Sequence, residues 1–283
     1  KLWDKYLTDG FNRKEIKPLP YKVFQPDNIK DAFRFMSKGK HIGKIIINFK
    51  DNFSPNNLVS SLHSEKIHLI TGGLGGLGLE LAKKLADFGS RKIYLVSRSG
   101  IKDTFQKFQF DQIKCNTEII KKSVTELDQI EDVDIIWHLA STSNDSLFSN
   151  MTDRLWDEIY DVKVNGYLNL KNKFPSKKII IFGSIASRWG NVGQTHYSYS
   201  NDCLKNYARK DQFTTYLELG PFGNVGMASK IKDNIKEKLK KINFFNLASF
   251  WKIFNKIDFN ENVISIYSLN RESTYTNQNI ITN

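Results

Sequence analysis

The chain has 283 residues, 40% hydrophobic and 25% charged, a balance that excludes the disordered and fibrous classes. No apolar run approaches the roughly 20 residues that a membrane-spanning helix needs, and two cysteines, Cys115 and Cys203, exclude a disulfide framework and fit a reducing, cytoplasmic setting. A net charge of +12 favours polyanionic partners, but no zinc-finger spacing, RNA-binding aromatic signature or basic arm points to nucleic acid.

The opening residues, Lys1-Leu2-Trp3-Asp4, contain neither an initiator Met nor an apolar signal core, so the chain reads as cut from something longer, or processed. Residues 1–50 form a leader. Pro18-Leu19-Pro20-Tyr21-Lys22-Val23-Phe24 precedes a predicted helix over 26–37, with Ile29, Ala32, Phe33 and Met36 on one face. A strand is expected over 45–49. One helix and one strand bury little core alone, so the leader should dock on something. The polar, turn-rich stretch 51–64 (DNFSPNNLVSSLHS) reads as a linker.

The body, residues 65–269, alternates. Short apolar strands are expected over 66–70, 92–96, 117–121, 134–139, 178–182, 214–219 and 263–267. Helices are expected between them, notably over 76–88, 153–173 and 198–210. Strands of this kind are buried on both faces by helices, which predicts an α/β fold, a doubly wound parallel sheet of the Rossmann type. In the basic run 230–241, Ile231, Ile235 and Leu239 recur at helical spacing. The tail 270–283 is polar and expected to lack order.

The first body strand runs into Thr71-Gly72-Gly73-Leu74-Gly75-Gly76-Leu77-Gly78 and then a helix. That context makes the glycines a phosphate loop. Gly72 turns the chain, Gly76 lets N–H groups approach a pyrophosphate, and Gly78 permits close helix–strand packing at a helix N-terminus that favours anions. The second strand ends Val96-Ser97-Arg98-Ser99. An acid near this point would hold a ribose 2′-hydroxyl. Arg98, with no acid between Leu95 and Gly100, suits a 2′-phosphate and predicts NADPH.

The strand over 178–182 leads into Gly183-Ser184; Tyr197 follows thirteen residues after Ser184, and Asn201 four after Tyr197. This set suggests hydride transfer to a ketone. A Tyr with a lowered pKa can protonate the developing alkoxide. A Ser hydroxyl can hold the carbonyl oxygen where charge builds, and a nearby ammonium can stabilise the phenolate. His196 and Tyr199 are neighbours expected to stand aside, His196 as a pocket wall and Tyr199 turned away along the helix.

These residues carry a resemblance. The stretches ITGGLGGLGLELAKKLADFGSRKIYLVSRSG, IIWHLASTSNDSLFSNMTDRLWDEIYDVKVNGYLNLKN, IIIFGSIASRWGNVGQTHYSYSND and LELGPFGNVGMASK resemble the ketoreductase domain of polyketide and fatty acid synthases. That domain is a branch of the short-chain dehydrogenase/reductase superfamily. In the family, the Lys lies on the long helix before the serine strand and Asn follows the Tyr. Lys163, in Asp161-Val162-Lys163-Val164-Asn165-Gly166, matches the Lys. The resemblance implies that Tyr197 donates the proton, Ser184 orients the β-keto oxygen, Lys163 tunes Tyr197, and Asn201 positions a water or the Lys. It implies NADPH held by residues 71–78, Ser97, Arg98, Ala140 and Ser141, and a substrate tethered to an acyl carrier protein among other synthase domains. The basic helix 230–241 would then serve as lid and face the acidic carrier. The leader is similar to the last segment of an enoyl reductase domain.

The chain departs from the family pattern at several points. Ser141 replaces a smaller residue near the cofactor, and Ser123 stands where an Asp commonly meets the adenine. Asp145 matches one stereochemical marker and Trp189 resembles the opposite one. A truncated Rossmann partner, usual in modular synthases, is missing. The alternative reading is therefore a synthase remnant that binds NADPH as a scaffold and does no chemistry.

Overall fold

The structure is a computed structural model that describes Arg13 and residues 19–25, 28–48, 63–128, 130–142, 144–223, 242–244 and 246–269. Most of the expected linker 51–64, the basic helix 230–241 and the tail 270–283 lie outside the described residues. The chain divides into two units, Lys1–Pro55 and Asn56–Asn283.

The first unit is a small β–α–β turn of chain. Strand β1 (Tyr21–Phe24) and strand β2 (Lys44–Ile47) pair in parallel, Tyr21 opposite Lys44 and Phe24 opposite Ile47. Helix α1 (Ile29–Ser37) crosses between them, one turn shorter than its sequence pattern predicts. The strand at Tyr21–Phe24 was not expected. Gly43 (φ +92°) makes it possible, because a Cβ there would lie 1.8 Å from the Pro20 carbonyl oxygen. Among the described residues of this unit only Ala32 is buried, as two short strands and one helix dictate.

The second unit carries seven parallel strands: β3 (Ile67–Thr71), β4 (Lys92–Val96), β5 (Asn116–Ile120), β6 (Ile135–His138), β7 (Lys178–Phe182), β8 (Thr214–Leu219) and β10 (Val263–Ile266). Their spatial order is β5-β4-β3-β6-β7-β8-β10. Strand β9 (Ile242–Asn243) pairs separately and antiparallel with β11 (Ser268–Leu269). Each expected body strand is present within one residue of its predicted ends. The helices are α2 (Gly76–Asp87), α3 (Thr104–Asp111), α4 (Asp153–Tyr160), α5 (Gly166–Lys173), α6 (Ala186–Trp189), α7 (Thr195–Arg209) and α8 (Leu247–Phe254).

Both sheet faces are covered, so the central strands have no polar side. All five residues of β3 and all six of β8 are buried. One core centres on Trp137, whose ring packs against Phe182, Phe254 and Phe259. The other joins Leu69, Ile136, Ile181 and Tyr216 to Val164, Tyr167 and Leu204 of the covering helices. The strand order reverses between β3 and β6, which opens a crevice at their carboxyl ends. Thr71 and His138 stand opposite each other at that end.

Two helix expectations needed correction. The long helix expected over 153–173 is interrupted by a π-helical turn at Asp161–Asn165. Helix α7 begins at Thr195 and not at 198, so Tyr197 lies inside its first turn.

Candidate active site

The loop Thr71–Gly78 is shaped by close contacts that only glycine permits. Gly72 has φ +66°, and a Cβ on it would lie 3.0 Å from the Ala140 backbone. A Cβ on Gly78 would lie 2.5 Å from the Gly72 carbonyl oxygen, and one on Gly73 2.9 Å from Leu95 Cα. The loop thus wraps tightly onto the start of α2, and Gly75 and Gly76 are exposed at its tip. The N–H groups of that first turn have no carbonyl partner within the helix. Leu74 is buried beneath the loop, and its carbonyl accepts from Gln106 Nε2 at 3.0 Å; Leu77 is half-buried.

A polar thread runs from this loop to the π-turn. The Thr71 hydroxyl accepts from the Ala140 N–H at 3.2 Å and lies 2.8 Å from His138 Nδ1. His138 Nε2 lies 2.9 Å from the Lys163 carbonyl oxygen. A carbonyl only accepts, so Nε2 carries the proton and Nδ1 accepts from Thr71. Burial holds His138 neutral, its pKa lowered to about 4. Gly166 lets the helix approach, since a Cβ there would lie 2.6 Å from Val124. The π-turn therefore has a tertiary anchor at Lys163 itself, as such turns at functional sites often do.

Lys163 is 2% exposed, and its ammonium lies 5.3 Å from the Tyr197 ring centroid. Desolvation alone lowers its pKa to about 8. Tyr197 is half-buried. Burial raises its phenol above the ordinary value, hydrogen bonds with the Ser184 and Asn201 side chains draw it back, and the charge of Asp145 raises it further. The expectation of a lowered phenol is overturned in this state: desolvation, which the sequence does not display, outweighs the hydrogen bonds. Ser184 Oγ accepts from the Ala186 N–H at 3.1 Å, which holds the side chain and leaves its hydroxyl proton free to be donated. Asn201 is fully buried and donates through Nδ2 to the Tyr197 carbonyl at 2.8 Å. Ser184, Tyr197, Lys163 and Asn201 therefore meet, brought together by the end of β7, the π-turn and one turn of α7.

The neighbours stand aside. His196 is fully buried and donates from Nε2 to the Asn144 carbonyl at 3.0 Å. Tyr199 is half exposed and packs on Trp156 and Tyr160. Asp145 accepts from Gln194 Nε2 at 3.0 Å, and Trp189 packs edge-on against Tyr267.

Two residues on one face of β8 escaped the sequence reading. Tyr216 lies under Ser184 and Asn201. Two positions on, Glu218 is fully buried and accepts from Ser187 Oγ (3.1 Å), Arg188 Nε (3.0 Å), Ser265 Oγ (2.8 Å) and Lys205 Nζ (3.4 Å). This cluster fastens α6, just after Ser184, to α7, which carries Tyr197. An acid within an otherwise neutral strand, TTYLEL, was the available signal.

Near the end of β4, a cleft of ≈ 550 Å³ is lined by Arg98, Ser123, Thr125 and Thr142 together with Glu158 and Asp161. Arg98 is exposed, with no ion pair among the described residues. The Ser97 N–H donates to the Ile120 carbonyl, setting the turn that presents Arg98. Ser123 Oγ lies 2.8 Å from Thr125 Oγ1. Ala140 is buried, and half-buried Ser141 donates to the Thr142 carbonyl at 3.3 Å. A glycine cradle and a helix N-terminus after β3, and after the neighbouring β4 a guanidinium with no ion pair among the described residues, fit a phosphorylated dinucleotide. No group of His, Cys, Asp and Glu able to hold a metal ion occurs among the described residues.

A family model described as the KR domain matches residues 67–215, just over half of the chain. Over 248 residues the chain is 25% identical to a squalestatin hexaketide synthase of Phoma sp., covering 80% of this chain and 10% of that protein. Over 221 residues it is 30% identical to a highly reducing polyketide synthase of Fusarium sp, covering 70% of this chain and 9% of that one. The chain thus spans about a tenth of the length of these relatives. The solved structure of an A1-type ketoreductase is similar in fold, with TM-score 0.63 and 19% identity over 72% of this chain and 48% of its own. The chain belongs to the KR-domain family, the ketoreductase domains of polyketide synthases, built on the Rossmann-type short-chain dehydrogenase/reductase fold.

Proposed function

We propose that the chain reduces a β-ketoacyl thioester, tethered to an acyl carrier protein, to the β-hydroxyacyl thioester with NADPH. The observation that carries the reading is the meeting of Ser184, Tyr197, Lys163 and Asn201 at the carboxyl ends of the central strands, beside the glycine cradle. When bound, NADPH would supply the hydride that the carbonyl carbon takes up. Thr71–Gly78 would hold its pyrophosphate, Arg98 its 2′-phosphate, and Ala140 and Ser141 would flank it. Ser184 donates to the ketone oxygen and orients it. Tyr197, kept protonated by burial, gives its proton to that oxygen as charge develops. Lys163, close over the phenol ring, stabilises the phenolate left behind. Asn201 holds the first turn of α7 and so the Tyr197 backbone. The synthase context of the relatives supports a carrier-bound substrate and neighbouring synthase domains.

The test is NADPH oxidation with a β-ketoacyl thioester mimic, comparing the chain with Tyr197→Phe. Turnover that the variant loses supports the reading. Absence of turnover in both, with NADPH still bound, replaces it with the scaffold reading.

A further inference from the structure

We propose that the Tyr216 hydroxyl is the positioning group that fixes Ser184 and Asn201 relative to each other, and through them the reacting end of Tyr197. The role rests on the reductase reading above. Tyr216 is fully buried on β8, yet its hydroxyl lies within reach of three polar groups of the site, and of the Ser187 side chain beside them. The Ser184 N–H donates to Tyr216 Oη at 3.0 Å. The one hydroxyl proton has two acceptors, the Ser184 carbonyl at 3.2 Å and Asn201 Oδ1 at 3.4 Å. The hydroxyl therefore grips Ser184 from both sides of its α-carbon and reaches across to α7.

Gly183 shows how closely the ring is fitted. A Cβ on Gly183 would lie 2.0 Å from Tyr216 Cζ and 2.3 Å from its hydroxyl oxygen. The aromatic ring takes the space that any other residue at position 183 would need, so the two positions are matched to each other. The neighbouring contacts show what the grip does. Asn201 donates to the Tyr197 carbonyl, and Ser184 Oγ is capped by the Ala186 N–H. With Ser184 held by its backbone and Asn201 by its amide oxygen, the Ser184 and Tyr197 hydroxyls are set before substrate arrives. Such pre-organisation removes reorientation from the reacting step. Tyr216 touches no reacting atom in this scheme and acts through Ser184 and Asn201.

The experiment compares the chain with Tyr216→Phe, Ser184→Ala and the pair together. Tyr216→Phe keeps the ring over Gly183 and removes only the hydroxyl. The expected result is a fall in kcat of about tenfold, equivalent to about 1.4 kcal/mol, with KM for NADPH unchanged. On the Ser184→Ala background Tyr216→Phe should cost less than it does alone, because of the two groups it positions only Asn201 remains. Without cofactor, Tyr197, isolated as the difference from Tyr197→Phe in a near-ultraviolet tyrosinate titration, should ionise at higher pH in Tyr216→Phe, since misplaced Ser184 no longer favours the phenolate. An unchanged kcat, or losses that add fully, overturns the proposal. Tyr216→Met is a second hydroxyl-free variant, with a side chain that adapts its shape. Failure of both variants to fold would also overturn it, leaving Tyr216 a core residue only. Should the unaltered chain show no turnover, the reductase reading fails. The tyrosinate titration then decides the placement of Ser184 independently.

Discussion

Replacing Lys163 by Met should stabilise the protein while abolishing turnover. The ammonium is 2% exposed, and desolvation brings its pKa from 10.5 to about 8. At about 1.4 kcal/mol per pH unit, keeping it charged costs about 3 kcal/mol. Its position over the Tyr197 ring returns about 0.5–2 kcal/mol, leaving a net cost of about 1–3 kcal/mol. Met has similar length and no charge to desolvate. The pH dependence fixes the sign. Below pH 8 the Lys is protonated in both the folded and unfolded chain, so the full cost is present. Between 8 and 10.5 the unfolded chain binds more protons, and stability rises with pH. Above 10.5 the cost is gone. Urea unfolding of the chain and of Lys163→Met at pH 7, 9 and about 10.5 should therefore show the variant ahead at pH 7 and the gap closing by the last pH. A variant no more stable at pH 7, or a gap that does not close, would refute the argument that this ammonium is desolvated.

Three further outcomes follow from the same geometry. Arg98→Asp should weaken NADPH binding by about 10–150-fold, the worth of a charge-assisted contact of about 1.5–3 kcal/mol, and leave NADH binding unharmed; fluorescence titration with both cofactors checks it, and equal changes would remove Arg98 from the 2′-phosphate. Glu218→Gln should destabilise by about 1.5–3 kcal/mol, because Arg188 and Lys205 lose the buried carboxylate they share and Lys205 keeps only the half-exposed Asp202. Adding Lys205→Met should recover most of that loss, and a single-variant cost below about 1 kcal/mol would show the cluster to be slack. His63, His68 and His138 are held neutral by burial, with pKa values of about 3, 4 and 4. As pH falls below 6.5 the unfolded chain protonates first, so stability is lost; near pH 5 three protons are taken up on unfolding, about 4 kcal/mol per pH unit. A urea-midpoint series from pH 7 to about 4.5 measures that slope, and a flat series would contradict the buried histidine assignments.

The body's architecture could be read from the sequence because both its determinants are local. Apolar runs such as Lys178–Phe182, flanked by turn residues, specify strands buried on both faces, and Gly72 and Gly78 mark a turn with no room for side chains. The four residues proposed for the site could also be picked out, since Ser184, Tyr197 and Asn201 lie within eighteen residues of chain, and Lys163 is displaced from them in a way the family pattern describes. What remained hidden depends on tertiary contact. The π-turn at Asp161–Asn165 gives no periodic signal, and its anchor is a histidine on another strand. The raised phenol of Tyr197 follows from burial, which one sequence does not display. Strand Tyr21–Phe24 depends on Gly43 meeting Pro20 across the intervening helix.

Strand β8 illustrates why position within the sheet, more than residue type, decides a role. It supplies none of the groups that the proposed reaction uses directly, yet alternate residues on one face meet the loop that bears Ser184 and the helix that bears Tyr197 and Asn201. Tyr216 holds the Ser184 backbone and the Asn201 amide. Glu218 holds Ser187, Arg188 and Lys205, and so joins α6 to α7. The sheet neighbours of β8 explain the arrangement: it lies beside β7, whose end bears Ser184, and beneath α7, which bears Tyr197 and Asn201. An apolar strand would pack there equally well but would leave the β7 loop free to shift relative to α7. The two polar side chains carry a desolvation cost that their partners offset, and in return the loop and helix are fixed to each other. Replacing Tyr216 with Phe and Glu218 with Gln separates the two effects. The first should lower turnover at a stability cost of about 1–3 kcal/mol, from the Ser184 N–H left without its acceptor, and the second should lower stability before it touches the chemistry.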